Sequence, residues 1–373
     1  MKIAHVVSTF PPRLGGMGAV AFDECRGLAA RGHTVTVFTL NYGDPSAPED
    51  ALNFRVVRLW PWIRGGDAGL APQLTRELKQ FDIIHLHYPW YGGAEWVLLA
   101  HKLYGRPFTL TYHMDAAPTV WHRRLVQRAY DLLLFRAIVK GASRVLMVNY
   151  AHALGSQLKQ FLPPERMTEL PNGVDTDLFR PDAHRDIPKE IFDWVGKKII
   201  LFVGNLLPVK RLDLLLSALN GIGDANVVLA VVGGGYAEEK YRKMTAELGL
   251  TARVRFVGPC HDRRQLVAYY NCSVCLVVSS DAESFSLVAD EALASGCPVI
   301  ASSLPELQNR LESAWLFTPG SAESLRDRLA AFLNLAPEFR QELASRGRER
   351  VVKQYSLSGH LDRLEKIYQE IIK

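Results

Sequence analysis

Glu283 and Glu291 stand eight residues apart in Glu283-Ser-Phe-Ser-Leu-Val-Ala-Asp-Glu291-Ala-Leu-Ala-Ser-Gly-Cys-Pro-Val-Ile, and they bracket the expected start of a helix. Ser284 or Ser286 is expected to cap it, Leu287, Val288 and Leu293 give it an apolar side, and Gly296 followed by Pro298 ends it. The first backbone N–H groups of a helix have no intrahelical partner and sit at the positive end of its dipole. Those around Phe285, Ser286 and Leu287 therefore favour an anion such as a diphosphate. A carboxylate accepts hydrogen bonds from vicinal hydroxyls, so Glu291 suits a ribose and Glu283 a hexose or its phosphate edge. Together these groups match what a nucleoside-diphosphate sugar offers. Glycoside hydrolysis fits worse, because eight helical residues at about 1.5 Å rise span about 12 Å, beyond the roughly 5 to 9.5 Å between hydrolytic carboxylates.

Other segments bear on the same chemistry. Gly15-Gly16 follow the first apolar run, and Thr111-Tyr-His113 closes a later one. Pro171-Asn-Gly-Val-Asp175, Val203-Gly-Asn-Leu-Leu-Pro-Val-Lys210 and Tyr355-Ser356 complete the series. In this order, around the two glutamates, they resemble the retaining glycosyltransferases of family 4, which have the GT-B fold. The signature of that family is a glutamate, seven residues and a second glutamate, with F-G-L-like residues after the first and A-x-G-x-P-V after the second. The resemblance spans essentially the whole chain.

Lys210, six residues after Gly204 on the loop that follows a strand, can bring an ammonium to a diphosphate whose charge grows as the sugar departs. Family members usually carry arginine where this chain has Asn205, which leaves Lys210 and the helix N-terminus with more of the anion; Arg211 is a candidate to compensate. The glycines of the Gly233-Gly-Gly235 run and Val257-Gly258 end strands, the first near the nucleotide, the second where its backbone can read the base. Neither run has the G-x-G-x-x-G spelling of a nicotinamide-dinucleotide site. The expected donor residues are thus Gly16, Asn205, Lys210, Gly233, Val257, Glu283, Phe285, Ser286, Leu287 and Glu291. The resemblance implies that His113 faces the transferred sugar and, with Lys210 and Glu283, carries transfer.

It also implies retention of anomeric configuration, with the acceptor hydroxyl attacking from the face the diphosphate leaves and the leaving phosphate acting as base. No nucleophilic carboxylate is then required. Neither a cofactor nor a metal is expected; the donor is a UDP- or GDP-sugar. Asp175-Thr-Asp177 spells a metal-binding D-x-D, but between Pro-Asn-Gly and Leu-Phe-Arg-Pro it reads as a turn cap. The acceptor is expected to be a saccharide, lipid-linked or cell-envelope, met by Gly15, Asp115, Tyr88 and Trp90 within an aromatic group that includes Trp60, Trp62, His85, His87, Tyr91 and Trp96. Two other readings stand beside transfer: a nucleotide-sugar-binding or scaffold protein without turnover, and a nucleotide-sugar 2-epimerase.

Positioning these residues takes a large α/β chain. The 373 residues, 48% of them hydrophobic, suffice for two domains with full cores. Short apolar runs alternate with amphipathic ones in two series, the signature of parallel, doubly wound sheets. The first comprises Lys2–Val7, Thr34–Phe38, Phe54–Arg58, Ile83–Leu86, Phe108–Leu110 and Arg144–Val148; the second, Lys198–Val203, Val227–Val232, Val254–Val257, Val274–Val278 and Val299–Ala301. Two Rossmann-like domains are expected to face each other across a cleft. Residues 1–173 form the acceptor side, residues 174–356 the donor side, and an amphipathic helix over 357–373 returns to the first domain as the second strand of a hinge. That helix could instead mediate a dimer, and oligomeric state is not legible.

Charge is uneven. Up to Gly173 there are 19 basic against 13 acidic side chains, a net of +6, and beyond it 25 against 26, a net of −1. Trp121–Lys140 concentrates basic residues in a helical pattern with Leu125, Ala129, Leu132, Leu133 and Phe135 on or near one side, which suits either an anionic lipid surface or ordinary packing on a sheet. Basic residues and aromatics do not interleave as in a nucleic-acid-binding module. With no stretch approaching about 18 apolar residues and no cleavable leader, the expected location is cytoplasmic, peripheral on the inner face of a membrane. Five cysteines without framework spacing fit a reducing compartment, Cys272 and Cys275 as core thiols.

Overall fold

A computed structural model describes residues 1–13, 15–43, 52–115, 127–181, 187–308, 310–312 and 315–373. Two compact units divide the chain: Met1–Gly173 with Leu357–Lys373, and Val174–Ser356. The chain therefore passes between them twice, at 173/174 and at 356/357. Close to both crossings the backbone N–H of Val174 donates to Tyr355 O at 2.8 Å, and Val174 bridges to Ser356 in parallel.

The first unit is built on a parallel sheet of β1 (Lys2–Val6), β2 (Thr34–Leu40), β3 (Arg55–Leu59), β6 (Ile83–Tyr88), β7 (Phe108–Tyr112), β8 (Arg144–Met147) and β9 (Met167–Glu169), in the order β3-β2-β1-β6-β7-β8-β9. A two-residue ribbon, β4 (Arg64–Gly65) with β5 (Ala68–Gly69), lies apart from it. The central strands are buried on both faces, hence their β-branched and aromatic content. Chain order reverses beside β1, so the loops after β1 and β6 part there and open a crevice at the carboxyl ends.

One face of this sheet is covered by the helix Gly16–Ala30 and the C-terminal helix Leu357–Ile372. Leu361, Leu364, Ile367 and Tyr368 recur at helical spacing and are buried. The two helices pack so closely that a Cβ built on Gly27 would lie 2.3 Å from Leu361 Cδ1. Glu365 ties them at the rim, accepting from Arg31 at 2.5 Å and facing His33 Nε2 at 2.6 Å.

The second unit carries β10 (Lys198–Val203), β11 (Val227–Val232), β12 (Val254–Gly258), β13 (Cys275–Val278), β14 (Val299–Ser302) and β15 (Leu316–Phe317), all parallel, in the order β12-β11-β10-β13-β14-β15. Its reversal lies between β10 and β13, and because those two strands pair directly, the loops that follow them begin side by side at the edge of the crevice.

Two expectations need correction. From Asp131 to Phe135 the backbone winds as one wide π-turn, which turns Asp131, Phe135, Ile138 and Val139 inward. Ala129 is exposed, and Leu132 and Leu133 are 62% and 73% exposed, so they do not share the packed side with Phe135; Trp121–Val126, with Leu125, lies outside the described residues. The short strands β9 and β15 have no strand-like run in the sequence. Among the described residues no helix is long and apolar enough to cross a membrane.

Candidate functional site

The reversal in the second unit brings together the two loops that hold the expected chemistry. The loop after β10 runs from Gly204 to Lys210 and the loop after β13 from Ser279 to Ser286. Asp281 N–H donates to Val209 O and Ser279 Oγ to Lys210 O, both at 2.9 Å. Lys210 Nζ donates to Glu283 Oε1 at 2.7 Å, and Ser280 Oγ donates to the same oxygen at 2.6 Å. Glu283 is thereby fixed, its side chain 8% exposed, whereas the Lys210 side chain is 28% exposed and directs one of its three N–H donors at the carboxylate.

Arg211, the candidate to replace the cation missing at Asn205, is engaged elsewhere. Its guanidinium binds Asp213 at 3.0 to 3.2 Å and Asp281 at 2.9 and 3.1 Å. Its hydrogen bonds to Asp213 first, and also to Asp281, push its pKa up. Arg211 therefore braces the two loops, from a left-handed backbone at φ 50°, instead of replacing the cation. Asn205 is exposed at the tip of its loop.

The helix after Glu283 spans Leu287–Ala294, and Gly296 at φ 75° ends it. Its N-cap is Ser286 at φ 65°, ψ 69°, and the side chain makes no capping bond; the buried Oγ has no partner. Neither serine expected to cap does so. Ser286 sits where the signature has the glycine of F-G-L, and its backbone keeps the glycine-like conformation. Phe285 is buried beneath the turn, clamped by Arg310, which donates to Phe285 O, pairs with Asp290 and lays its guanidinium 4.0 Å from the Phe285 ring centroid. Burial raises the Asp290 carboxyl pKa, against the pull of Arg310. Glu291 lies one turn into the helix, half-buried, with Tyr270 O–H donating to its Oε2 at 3.0 Å. Burial and the Glu291 charge push the Tyr270 hydroxyl well above its usual range.

Backbone packing explains the glycines after β11. A Cβ on Gly233, at φ 139°, would stand 1.9 Å from Gly204 O, and one on Gly235 2.5 Å from Leu206 O. Glycine here lets the loops after β10 and β11 touch. Val257 is half-buried at the end of β12, where Gly258 O accepts from Gly233 N–H at 2.8 Å. Asp175 Oδ1 accepts from the N–H groups of Asp177 and Leu178 at 3.2 and 3.0 Å, which is a turn cap.

In the first unit, Gly16 opens the helix at the end of the loop after β1, and a Cβ there would meet nothing within 4 Å; Gly15 has an extended backbone at φ 176°. Local packing therefore requires glycine at neither position. His113 follows β7 but is only 4% exposed, its Nε2 3.0 Å from His87 Nδ1, so it does not open outward as a strand-end loop residue would. Asp115 accepts from Tyr112 O–H and so is held by Tyr112. Tyr88 and Trp90 are corrected as acceptor contacts: both are 0% exposed within the core, and Trp90 Nε1 donates to Gly69 O at 3.1 Å. Trp60 and Trp62 do face outward.

Sequence reasoning missed Ser279, Ser280, Asp281, Arg310 and Tyr270. The first three form a polar run directly after an apolar strand, which is a readable signal. Arg310 and Tyr270 are distant in sequence and carry none.

The comparisons agree with this geometry. Residues 14–178 match the family model described as Glycosyltransferase Family 4, and residues 185–350 the model described as Glycosyl transferases group 1. The chain is similar to the D-inositol 3-phosphate glycosyltransferase of Frankia alni, 30% identical over 328 residues and 79% of each chain. The enzyme of that name from Mycolicibacterium smegmatis is 30% identical over 315 residues, covering 78% of this chain and 71% of that one. Among solved structures, sucrose-phosphate synthase from Thermosynechococcus elongatus superposes with a TM-score of 0.80 over 99% of this chain and 98% of that one, at 23% identity. Anabaena HepE, solved with UDP and glucose, gives 0.79 over 99% of each at 19% identity. These two similarities establish the GT-B architecture.

Proposed function

The chain belongs to the group 1 glycosyltransferases of family 4, and from that premise we propose that it moves a hexose from a UDP- or GDP-sugar to a hydroxyl of a saccharide, lipid-linked or cell-envelope acceptor, with retention of configuration and no metal at the diphosphate. The observation that carries this reading is the Lys210–Glu283 pair, set where the loops after β10 and β13 meet and ahead of a helix whose first N–H groups are uncapped by any side chain. A diphosphate arriving there takes up the remaining Lys210 donors and the amides of Ser286 and Leu287. Glu283, released from part of its bond with Lys210, is then available to sugar hydroxyls, and Glu291, oriented by Tyr270, to the ribose. His113, packed against His87 in the free protein, turns outward to act at the transferred sugar, and the leaving phosphate takes the acceptor proton. The protein works in the cytoplasm, its basic first unit resting on an anionic membrane face. A sugar complex of HepE with UDP-glucose supports a uridine donor as the first to try.

Asn205 gives weight to a second reading, binding of the donor without turnover. One experiment separates them: incubation with a panel of UDP- and GDP-sugars, followed by NMR of the products. Transfer or donor hydrolysis with the donor's anomeric configuration kept, at a rate that added manganese or magnesium does not raise, is expected. Inverted product rejects the mechanism, and donor binding without any product favours the second reading.

A further inference from the structure

The sheet face beneath the helix Gly16–Ala30 carries a polar group that nothing in the transfer reading employs. Along β1 and β6, His5 pairs in register with His85, and His87 lies two residues further on the same face, all three at 0% exposure. Glu24, from the helix above, reaches into the middle of them at 1% exposure. Its Oε2 stands 3.6 Å from each of three nitrogens, His5 Nδ1, His85 Nδ1 and His87 Nε2, and the four donor atoms all fall within 4.8 Å of one another. That oxygen is buried without a hydrogen-bond partner, as is His5 Nε2. A desolvated carboxylate oxygen with no donor is costly, and proteins rarely keep one unless something neutralises it.

Protons alone do not settle the group. His85 Nε2 is engaged with Thr111 Oγ1 at 2.6 Å and its Nδ1 with Tyr368 O–H at 2.5 Å; His5 Nδ1 and His87 Nε2 share one proton across 3.0 Å. Glu24 Oε1 faces His360 Nε2 at 3.0 Å. Each interaction leaves Oε2 unserved.

We infer that His5, His85, His87 and Glu24 form a closed binding site for a tetrahedral divalent transition metal of the zinc class. Three imidazole nitrogens and one carboxylate oxygen are a usual zinc donor set, and zinc bonds of about 2.0 to 2.1 Å place ligand atoms about 3.4 Å apart, close to the 3.6 Å spacing around Oε2. Small inward rotations of the rings complete the tetrahedron, with Nδ1 of His85 exchanging the Tyr368 hydroxyl for the metal. The surrounding bonds are those that orient metal ligands: Thr111 on His85 Nε2, His113 on His87 Nδ1, and His360 on Glu24 Oε1. With four protein ligands and no exposure, the ion ties the helix Gly16–Ala30 to β1 and β6. It also fixes His87 as the Nδ1–H donor towards His113. The site lies within the first unit and does not depend on the nucleotide-sugar reading.

The test uses the untagged full chain, grown in zinc-supplemented medium, with metal measured by mass spectrometry before and after stripping with dipicolinate and reloading with zinc or cobalt(II). The expected result is one zinc per chain, a lower Tm after stripping, and the intense visible bands of tetrahedral cobalt(II) on reloading. Glu24→Gln and His87→Gln are expected to lose the metal while donor binding by the second unit persists. No bound metal in the wild-type chain after both zinc and cobalt loading overturns the inference, whatever the variants do, and so does undiminished metal binding by a folded Glu24→Gln protein. Failure here leaves donor transfer untouched, since that is read by product formation.

Discussion

At the scale of single residues, the site is a cation held in reserve. Lys210 is neutralised by Glu283 in the free protein and partly open to solvent, so a diphosphate competes for a charge already in place. Lys210→Ala should lower kcat/KM for the donor about 10²- to 10³-fold, the loss typical of a group that stabilises developing charge, while the urea midpoint moves little; steady-state kinetics and denaturation read the two. Ser286 shows a different economy. A serine at φ 65° with a buried, partnerless hydroxyl is strained, and Ser286→Gly should stabilise the free protein by about 1 kcal/mol in urea titration. A destabilised Ser286→Gly protein would mean that the hydroxyl makes a bond that the geometry does not show.

At the scale of elements, the loops after β10, β11 and β13 behave as one piece. Gly233 lets the first two touch, and Arg211, Ser279 and Asp281 bind the first to the third. Gly233→Ala forces a methyl against Gly204 O at a backbone angle that alanine rarely adopts, and should cost about 2 to 4 kcal/mol in stability and weaken donor binding in the same variant. Calorimetric titration with a nucleoside diphosphate, run beside urea unfolding, separates the two losses. Much of this was legible. Most strands of both sheets announce themselves as apolar runs, β10, β11 and β12 closing at Gly204, Gly233 and Gly258, and the loop ends that carry Lys210 and Glu283 follow from them. Illegible parts share a physical cause, dependence on partners remote in sequence. The π-turn at Asp131–Phe135 rotates a helix face by packing, and Tyr88 and Trp90 look like ligand platforms until the core closes over them. The histidine face was spelled out at period two in His85-Leu-His87 and Thr109-Leu-Thr111, but only the sheet register sets His5 beside them.

At the scale of the whole molecule, the chain is two doubly wound units crossed twice by the backbone, with the positive charge gathered in the first and the donor chemistry in the second. Since Lys210, Glu283 and Glu291 are brought together only in the folded second unit, ligand binding should stabilise the folded protein by mass action, by about 2.7 kcal/mol at a hundredfold excess over Kd. A thermal-shift panel will therefore rank UDP- and GDP-sugars before any acceptor is known. The decisive measurement is a crystal structure grown with the nucleotide sugar that ranks first. The diphosphate is predicted within hydrogen-bond distance of Lys210 Nζ and of the Ser286 and Leu287 amides, with Glu283 turned to the sugar and Glu291 to the ribose. A diphosphate bound away from these groups, with the Lys210–Glu283 pair unchanged, would contradict the account.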